Sequence, residues 1–419
     1  MLRMTTALAA LVAVTAGSAA SAADLRMSWW GGDARHVATQ EALKICGARY
    51  GHDIKAEFGG WSGFQEKFAT QMAGGTEADI LQINWPWLPI FSKKGDGFAD
   101  LTAFKDQIDL AQWSADDLAA GTVDGKLNGI PVSTTGRVMF FNKTQWDKAG
   151  LPLPKTWADV LAAAPVFKEK LGQGHYPFEA TGLNALFIVT LAATQITGKD
   201  MIDPETGEVA WSVEDLTRAL EFYKGLVDAG AIRPARDVAA EGKIELFESP
   251  RWASGDIAGT YEWDSTYSKY ADPLKDGQEL IATDLLTIDG ATTQGVYRKP
   301  SMLFAISKNS KNPEAAAEII NCLLAEPEGI MAMGDARGVP SNASAAKMLL
   351  DAGKIDPNLI EANAIMVAEE GPAVSPYNEN PEIRQVFLDT VEAFGYGQMD
   401  AAAAAEEIVY DVSDITAGF

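Results

Sequence analysis

The stretch ADILQINWPWLPIFSKKGDG, Ala78–Gly97, begins as a buried strand and opens into a loop carrying two tryptophans beside two prolines, a composition suited to stacking on something flat. Two earlier segments end in the same way: Leu25–Trp30 runs into Trp30-Gly31-Gly32-Asp33, and Ile54–Phe58 runs into Gly59-Gly60-Trp61-Ser62. In an open parallel α/β sheet the ligand crevice lies outside the carboxyl ends of the strands. Three such strands in series bring these tryptophans around one cleft. A sugar fits a cleft of this kind, because its C–H faces rest on aromatic rings while its hydroxyls want planar polar partners. Trp30, Trp61, Trp85, Trp87 and, later, Trp263 supply the rings; Asp33, Arg35, Gln82, Asn84 and Asp264 stand beside them. Trp29 alternates with Met27 along the first strand and reads equally as core.

Around this stretch the elements alternate. Val37–Tyr50 reads as a helix, with Ala38, Ala42, Ile45 and Cys46 near one face and a stop at Gly51. Ser62-Gly63-Phe64-Gln65 has the form of a capping box ahead of Phe64, Phe68 and Met72, and Gly74-Gly75 ends that helix. The order βαβαβ calls for a parallel sheet with right-handed crossovers, with Ala78–Ile83 as its third strand. Farther on, Val123–Leu127 predicts a tight hairpin and Gly129–Val132 a strand. Ser133-Thr134-Thr135-Gly136 interrupts the pattern before a second strand, Arg137–Asn142, and is read as the first crossing between two lobes. Thr156-Trp157-Ala158-Asp159 opens a run of helices that continues through Val227. A return crossing is expected over Tyr297–Ser307, a helix with Pro313 at its first position after it, and a third crossing over Met333–Ser341. The expected division is 24–133 plus 300–338 for lobe one and 134–299 plus 339–419 for lobe two.

At 419 residues, 47% hydrophobic and 22% charged, the chain has material for two or three cores of about 150 residues. Arg3, the apolar Thr6–Ala16 and Ala20-Ser21-Ala22 read as a signal peptide over residues 1–23, with the mature chain beginning near Ala23 or Asp24. No cysteine sits at the cleavage point, which argues for release into an oxidising space, most simply a Gram-negative periplasm. A net charge of −24 speaks against nucleic acid or an anionic membrane as partner. Cys46 and Cys322 fall on helices assigned to lobe one. They bond if those helices are neighbours with Cα atoms within about 7 Å, and remain two buried thiols if the sheet separates them.

His36, His52 and His175 form no metal-binding pair, and the chain carries no G-x-S-x-G elbow, P-loop, complete dinucleotide fingerprint or EF-hand loop. No cofactor or metal is expected. Paired carboxylates stay open, so a periplasmic lyase or glycosidase is the alternative to a binding protein, with a peptide or polyamine binder as a third reading.

Six segments carry a resemblance: RMSWWGGDARH at Arg26–His36, QINWPWLPIFSKKGDGF at Gln82–Phe98, GKLNGIP at Gly125–Pro131, RGVP at Arg337–Pro340, SPY at Ser375–Tyr377 and YGQ at Tyr396–Gln398. Through them the chain resembles the extracellular solute-binding proteins of sugar ABC importers, the family of maltose-binding protein, and within it the oligogalacturonide-binding proteins of pectin-degrading bacteria. The resemblance implies an α/β fold of the type II periplasmic-binding-protein kind, two doubly wound lobes joined by crossover hinges. It implies an oligosaccharide ligand, ABC permease subunits as partners and a monomer. By the same resemblance Asn84 and Trp85 sit on the cleft wall of lobe one, Trp263 stacks from lobe two, and Ser133–Thr135, with Thr134 at its centre, faces the sugar. Arg35, Arg137, Lys299 and Arg337 are available to a uronate or, as hydroxyl donors, to a neutral sugar; His36 reads first as a loop-ordering residue and second as a contact.

Overall fold

In the computed structural model, which describes residues 22–418 apart from Glu205 and Lys243, strand β1 (Asp24–Trp30) lies between β2 (Asp53–Gly59) and β3 (Ile80–Ile83), parallel to both. The signal-peptide reading falls outside the described residues except for Ala22 and Ala23. The order β2-β1-β3 places the helices Asp33–Tyr50 and Phe64–Gly74 as crossovers between strands whose ends all carry indoles. The first helix starts at Asp33, four residues ahead of the sequence reading, where an acidic side chain suits the positive end of the helix dipole. It stops at Gly51, whose φ of 74° lets its N–H close on the Gly47 carbonyl. The second helix corrects an expectation: no capping box forms at Ser62–Gln65, because Gly63, at φ 73°, directs the chain into the helix with no side-chain cap.

A hairpin of β4 (Thr122–Val123) and β5 (Lys126–Leu127) precedes β6, which runs without a break from Ile130 to Asn142. The interruption expected at Ser133–Gly136 is instead a change of partner inside one strand. Ile130–Gly136 pairs antiparallel with β9 (Arg298–Ile306), with register shifts on both sides of Ser133; Arg137–Asn142 pairs with β7 (Gly259–Trp263) and β8 (Leu280–Thr283). The sheet order is therefore β2-β1-β3-β9-β6-β7, and β9 returns antiparallel to β3 rather than extending a parallel series.

Two apolar cores form on either side of this exchange. One, called lobe one below, gathers Met27, Trp29, Phe68, Trp87, Phe304 and Leu323; the other, lobe two, gathers Phe140, Trp146, Trp157, Phe178, Leu220 and Ile408. Along β6 the change of core falls between Val132 and Val138, and on the return between Val296 and Met302. Lobe two is mostly helical: Thr156 and Asp159 close a reciprocal capping box on Trp157–Lys170, and Leu183–Thr197, Val213–Asp228, Pro381–Gly395 and Ala401–Thr416 follow. In lobe one Cys46 and Cys322 are bonded, with Cα atoms 5.8 Å apart, so the helices Asp33–Tyr50 and Pro313–Ala325 are neighbours on one face of the sheet.

Candidate functional site

The three crossings meet at one knot of hydroxyls. Ser133 Oγ shares a short hydrogen bond with Ser301 Oγ and donates to the Arg337 carbonyl at 2.6 Å; Thr134 Oγ1 lies 3.3 Å from Ser341 Oγ. Glycine is required next to them: a Cβ on Gly136 would lie 2.5 Å from Met366 Cγ and 2.8 Å from the Tyr297 carbonyl oxygen. The buried Asp264 carboxylate accepts from the Thr135 hydroxyl, the Gly136 N–H and Asn363 Nδ2, and so ties β6 to the end of β7. Burial pushes this carboxyl above its usual range.

On the lobe-one side the rings divide into two groups. Trp30 contacts Trp61, Phe64 and Trp87 at centroid distances of 5.2, 5.5 and 5.2 Å, and Trp87 goes on to Phe68 and Phe91. Trp87, 1% exposed at the start of the Trp87–Phe91 helix, is a core residue; Trp61, 44% exposed, presents the open edge of the same stack. Trp85 stands apart. After β3 the chain turns through Trp87 N–H to Asn84 O and Leu88 N–H to Trp85 O, and the Trp85 indole N–H is fixed by the Ala120 carbonyl. His36 stacks on Phe58 and accepts from the Trp29 indole, which orders the loop after β1; Asp33 is exposed in the first helical turn.

The arginines are engaged within the protein. Arg35 donates to the carbonyls of Ala336 and Trp30, joining the end of β1 to the third crossing. Arg337 is buried, donates to Gln82 Oε1 and Thr39 Oγ1, and lies over the Phe304 ring; burial and the neighbouring Arg35 push its pKa well down. Arg137, 1% exposed, donates to Asn184 Oδ1 and the Tyr261 carbonyl and lies over Phe187, Tyr261 and Trp263, so it is a structural cation of lobe two. The Trp263 ring is half-buried, with the edges of Phe187 and Tyr297 against it and Lys299 Nζ 5.1 Å from its centroid.

The lobes touch directly at Asn84. Its Oδ1 accepts from Lys299 Nζ at 3.3 Å, and its Nδ2 donates at 3.3 Å to Glu379 Oε2. Glu379 Oε1 pairs with Lys299 Nζ at 2.5 Å and accepts from the Tyr297 hydroxyl, while Arg384 Nη2 reaches Oε2 at 3.3 Å. Burial alone would raise the Glu379 carboxyl, but Lys299 and Arg384 more than offset it and hold it below the usual range. Burial also lowers the Lys299 ammonium, against the opposing pull of Glu379. The turn that presents Glu379 starts at Ser375-Pro376 and is pinned by Asp200, whose carboxylate accepts from Ser375 N–H and Asn378 Nδ2. Beside it a cavity of about 20 Å³ between Phe187, Asp200, Tyr297 and Arg384 is water-sized rather than sugar-sized.

Of the residues expected at the cleft, the structure thus brings Asn84, Lys299 and Trp263 together, with Trp85 next in sequence to Asn84. Ser133, Thr134, Asp264, Arg35 and Arg337 gather at the crossings, and Trp87 and Arg137 belong to the cores. Glu379, Arg384 and Phe187 carry no expectation from the sequence, and Tyr297 is expected only as the start of the return crossing. The only signal for Glu379 was its place two residues beyond the SPY segment.

The family model for "Bacterial extracellular solute-binding protein" matches residues 38–330. A periplasmic solute-binding protein of Pectobacterium atrosepticum is similar at 39% identity, covering 94% of this chain and 99% of that one, with a TM-score of 0.90. A periplasmic oligogalacturonide-binding protein of Yersinia enterocolitica in complex with saturated digalacturonic acid is similar at 38% identity over 94% of this chain and 99% of that one, with a TM-score of 0.89. A second structure of a periplasmic oligogalacturonide-binding protein from the same organism is similar at 38% identity over 94% of this chain and 99% of that one, with a TM-score of 0.77. The diacetylchitobiose-binding protein of Streptomyces coelicolor is 27% identical over 301 residues, 70% of this chain and 67% of that one.

Proposed function

The chain belongs to the bacterial extracellular solute-binding proteins, and from that premise we propose that it captures a uronate-bearing oligosaccharide between its lobes in the periplasm and delivers it to the permease of an ABC importer. The fold and family are those of binding proteins rather than enzymes, with a periplasmic-binding-protein-like α/β architecture. The observation that carries the ligand reading is the seam at Asn84: an aromatic wall around Trp263 and two cations, Lys299 and Arg384, on one carboxylate, in a chain of net charge −24. Similarity to a protein described with digalacturonic acid points the same way.

In this reading 24–133 plus 300–338 move against 134–299 plus 339–419, bending at Ser133–Gly136, Tyr297–Ser301 and Arg337–Ser341. Trp85 is the ring on which the sugar stacks from lobe one. Trp263 is the ring on which it stacks from lobe two. The mature chain starts near Ala23 or Asp24, after removal of the signal peptide.

Titration calorimetry with digalacturonate and with a neutral galactobiose, at low and high salt, tests this. Digalacturonate should bind, more weakly as salt screens the seam, and be recovered unchanged. Binding of the neutral sugar alone, or cleavage of either, would overturn the proposal.

A further inference from the structure

We propose that Glu379 is a positioning residue that completes the binding wall of lobe one from lobe two: it closes onto Asn84 and fixes that side chain at the cleft. The inference rests on the reading that ligand is captured between the lobes.

Three observations carry it. Asn84, Lys299 and Glu379 form a closed ring, with Lys299 Nζ donating to both others and Asn84 Nδ2 donating to Glu379. Asn84 follows β3 in lobe one and Glu379 sits in the Pro376–Glu379 turn beyond the third crossing, so the ring is whole only when the lobes are together. All of the carboxylate is used: one oxygen takes Lys299 and Tyr297, the other Asn84 and Arg384, which matches its accepting capacity.

The turn is also held stiffly. Asp200 takes both the Ser375 N–H and the Asn378 amide from within lobe two. Glu379 therefore moves with lobe two as a body. Lobe opening withdraws Asn84 and leaves a lysine and an arginine on Glu379 alone, whereas closing fixes the Asn84 side chain, one residue before Trp85. A residue merely stabilising lobe two would have no reason to reach across to Asn84.

The test exchanges the polarity of the ring. Asn84→Asp sets carboxylate against carboxylate, and Glu379→Gln leaves Lys299 without its counter-charge. The double variant restores one carboxylate beside Lys299, now on lobe one, with a glutamine amide to donate to it. Digalacturonate affinity should fall about tenfold in each single variant and recover to within about threefold of wild type in the double. X-ray scattering of the proteins alone should show each single variant expanded and the double compact. Losses that multiply to about a hundredfold, or single variants that bind and scatter like wild type, would overturn the inference.

Asn84→Ala adds no charge, and it should expand and weaken the protein as well if folding fails in a charged variant. Wild type that ignores digalacturonate would overturn the function proposed above. The positioning role would then still be decided by the scattering of the four proteins.

Discussion

In lobe one, Trp30, Phe64, Phe68, Trp87 and Phe91 make a continuous chain of ring contacts, and a covalent bond joins two of its helices. Among the carboxyls buried in lobe two, Glu179, Asp200, Asp264 and Glu369 are each pushed above the usual range by burial. The same interior also holds Arg137 and Arg233, both at most 3% exposed. The two halves of one closing device therefore answer to different disturbances. Lobe one is set to respond to a reductant and to loss of aromatic volume, lobe two to pH and to loss of a charge partner.

The largest effect expected is on lobe one. Replacing Cys46 and Cys322 by serine releases a closure of 276 residues, which the chain-entropy model rates at about 5 kcal/mol. Calorimetry should then show the lobe-one transition moving down while that of lobe two stays. A single transition moving as a whole would break the comparison, because it would mean the lobes unfold as one unit.

Next is Arg233, which pairs with Glu179 at 2.5 Å and Glu241 at 2.7 Å. Arg233→Met strands a buried carboxylate and should cost lobe two about 3–5 kcal/mol; adding Glu179→Leu should return much of it. Denaturant titration followed by a lobe-two probe measures both.

A smaller effect concerns acidity. Asp200 is raised from 3.8 to about 6 by burial, so the folded chain holds its proton more tightly than the unfolded one. Its contribution is fully present below about pH 4 and is lost as pH rises through 6, with a limit of roughly 3 kcal/mol. Melting of lobe two should fall over that window, and Asp200→Asn should flatten the fall, the remaining slope belonging to Glu179, Asp264 and Glu369. An unchanged slope would reassign the pH response to those three. Glu379 has the opposite sign: its lowered carboxyl stabilises above the ordinary carboxylate range and loses that contribution on acidification.

The smallest effect is on affinity rather than stability. Trp85→Ala should weaken digalacturonate binding by about tenfold, or 1.4 kcal/mol, with both transitions shifted by less than that. Unchanged affinity would remove Trp85 from the wall and leave the stacking to other rings.

The parts of this molecule that were legible beforehand are those whose cause is local. The indoles at three strand ends, the Thr156–Asp159 cap and Pro313 at a first helical turn each depend on neighbours a few residues away. What was not legible depends on partners far along the chain. Ser133–Gly136 looks like a break because Gly136 and the register shift interrupt its pattern; β9, some 165 residues later, supplies the ladder that keeps it a strand. Trp85 and Trp87 look alike in sequence, yet a helix starting at Trp87 sends one indole into the core and leaves the other at its rim. Arg337 and Arg137 carry no mark of the carbonyls and amides that claim them. Glu379 sits in an ordinary Pro-initiated turn, and its role exists only because Asn84 stands opposite.

The bond between Cys46 and Cys322 spans most of lobe two as well as part of lobe one, since the segment from β6 to β9 is inserted between them. A protease that cuts the exposed turn at Ala239–Gly242, a surface of the kind proteases prefer, leaves both products attached to the same closed ring. On a gel run without reductant the nicked chain should migrate as one species of full mass. With reductant it should fall into two bands. Cuts before Cys46 or after Cys322 should separate at once, so the pair of gels maps which side of the ring any nick lies on.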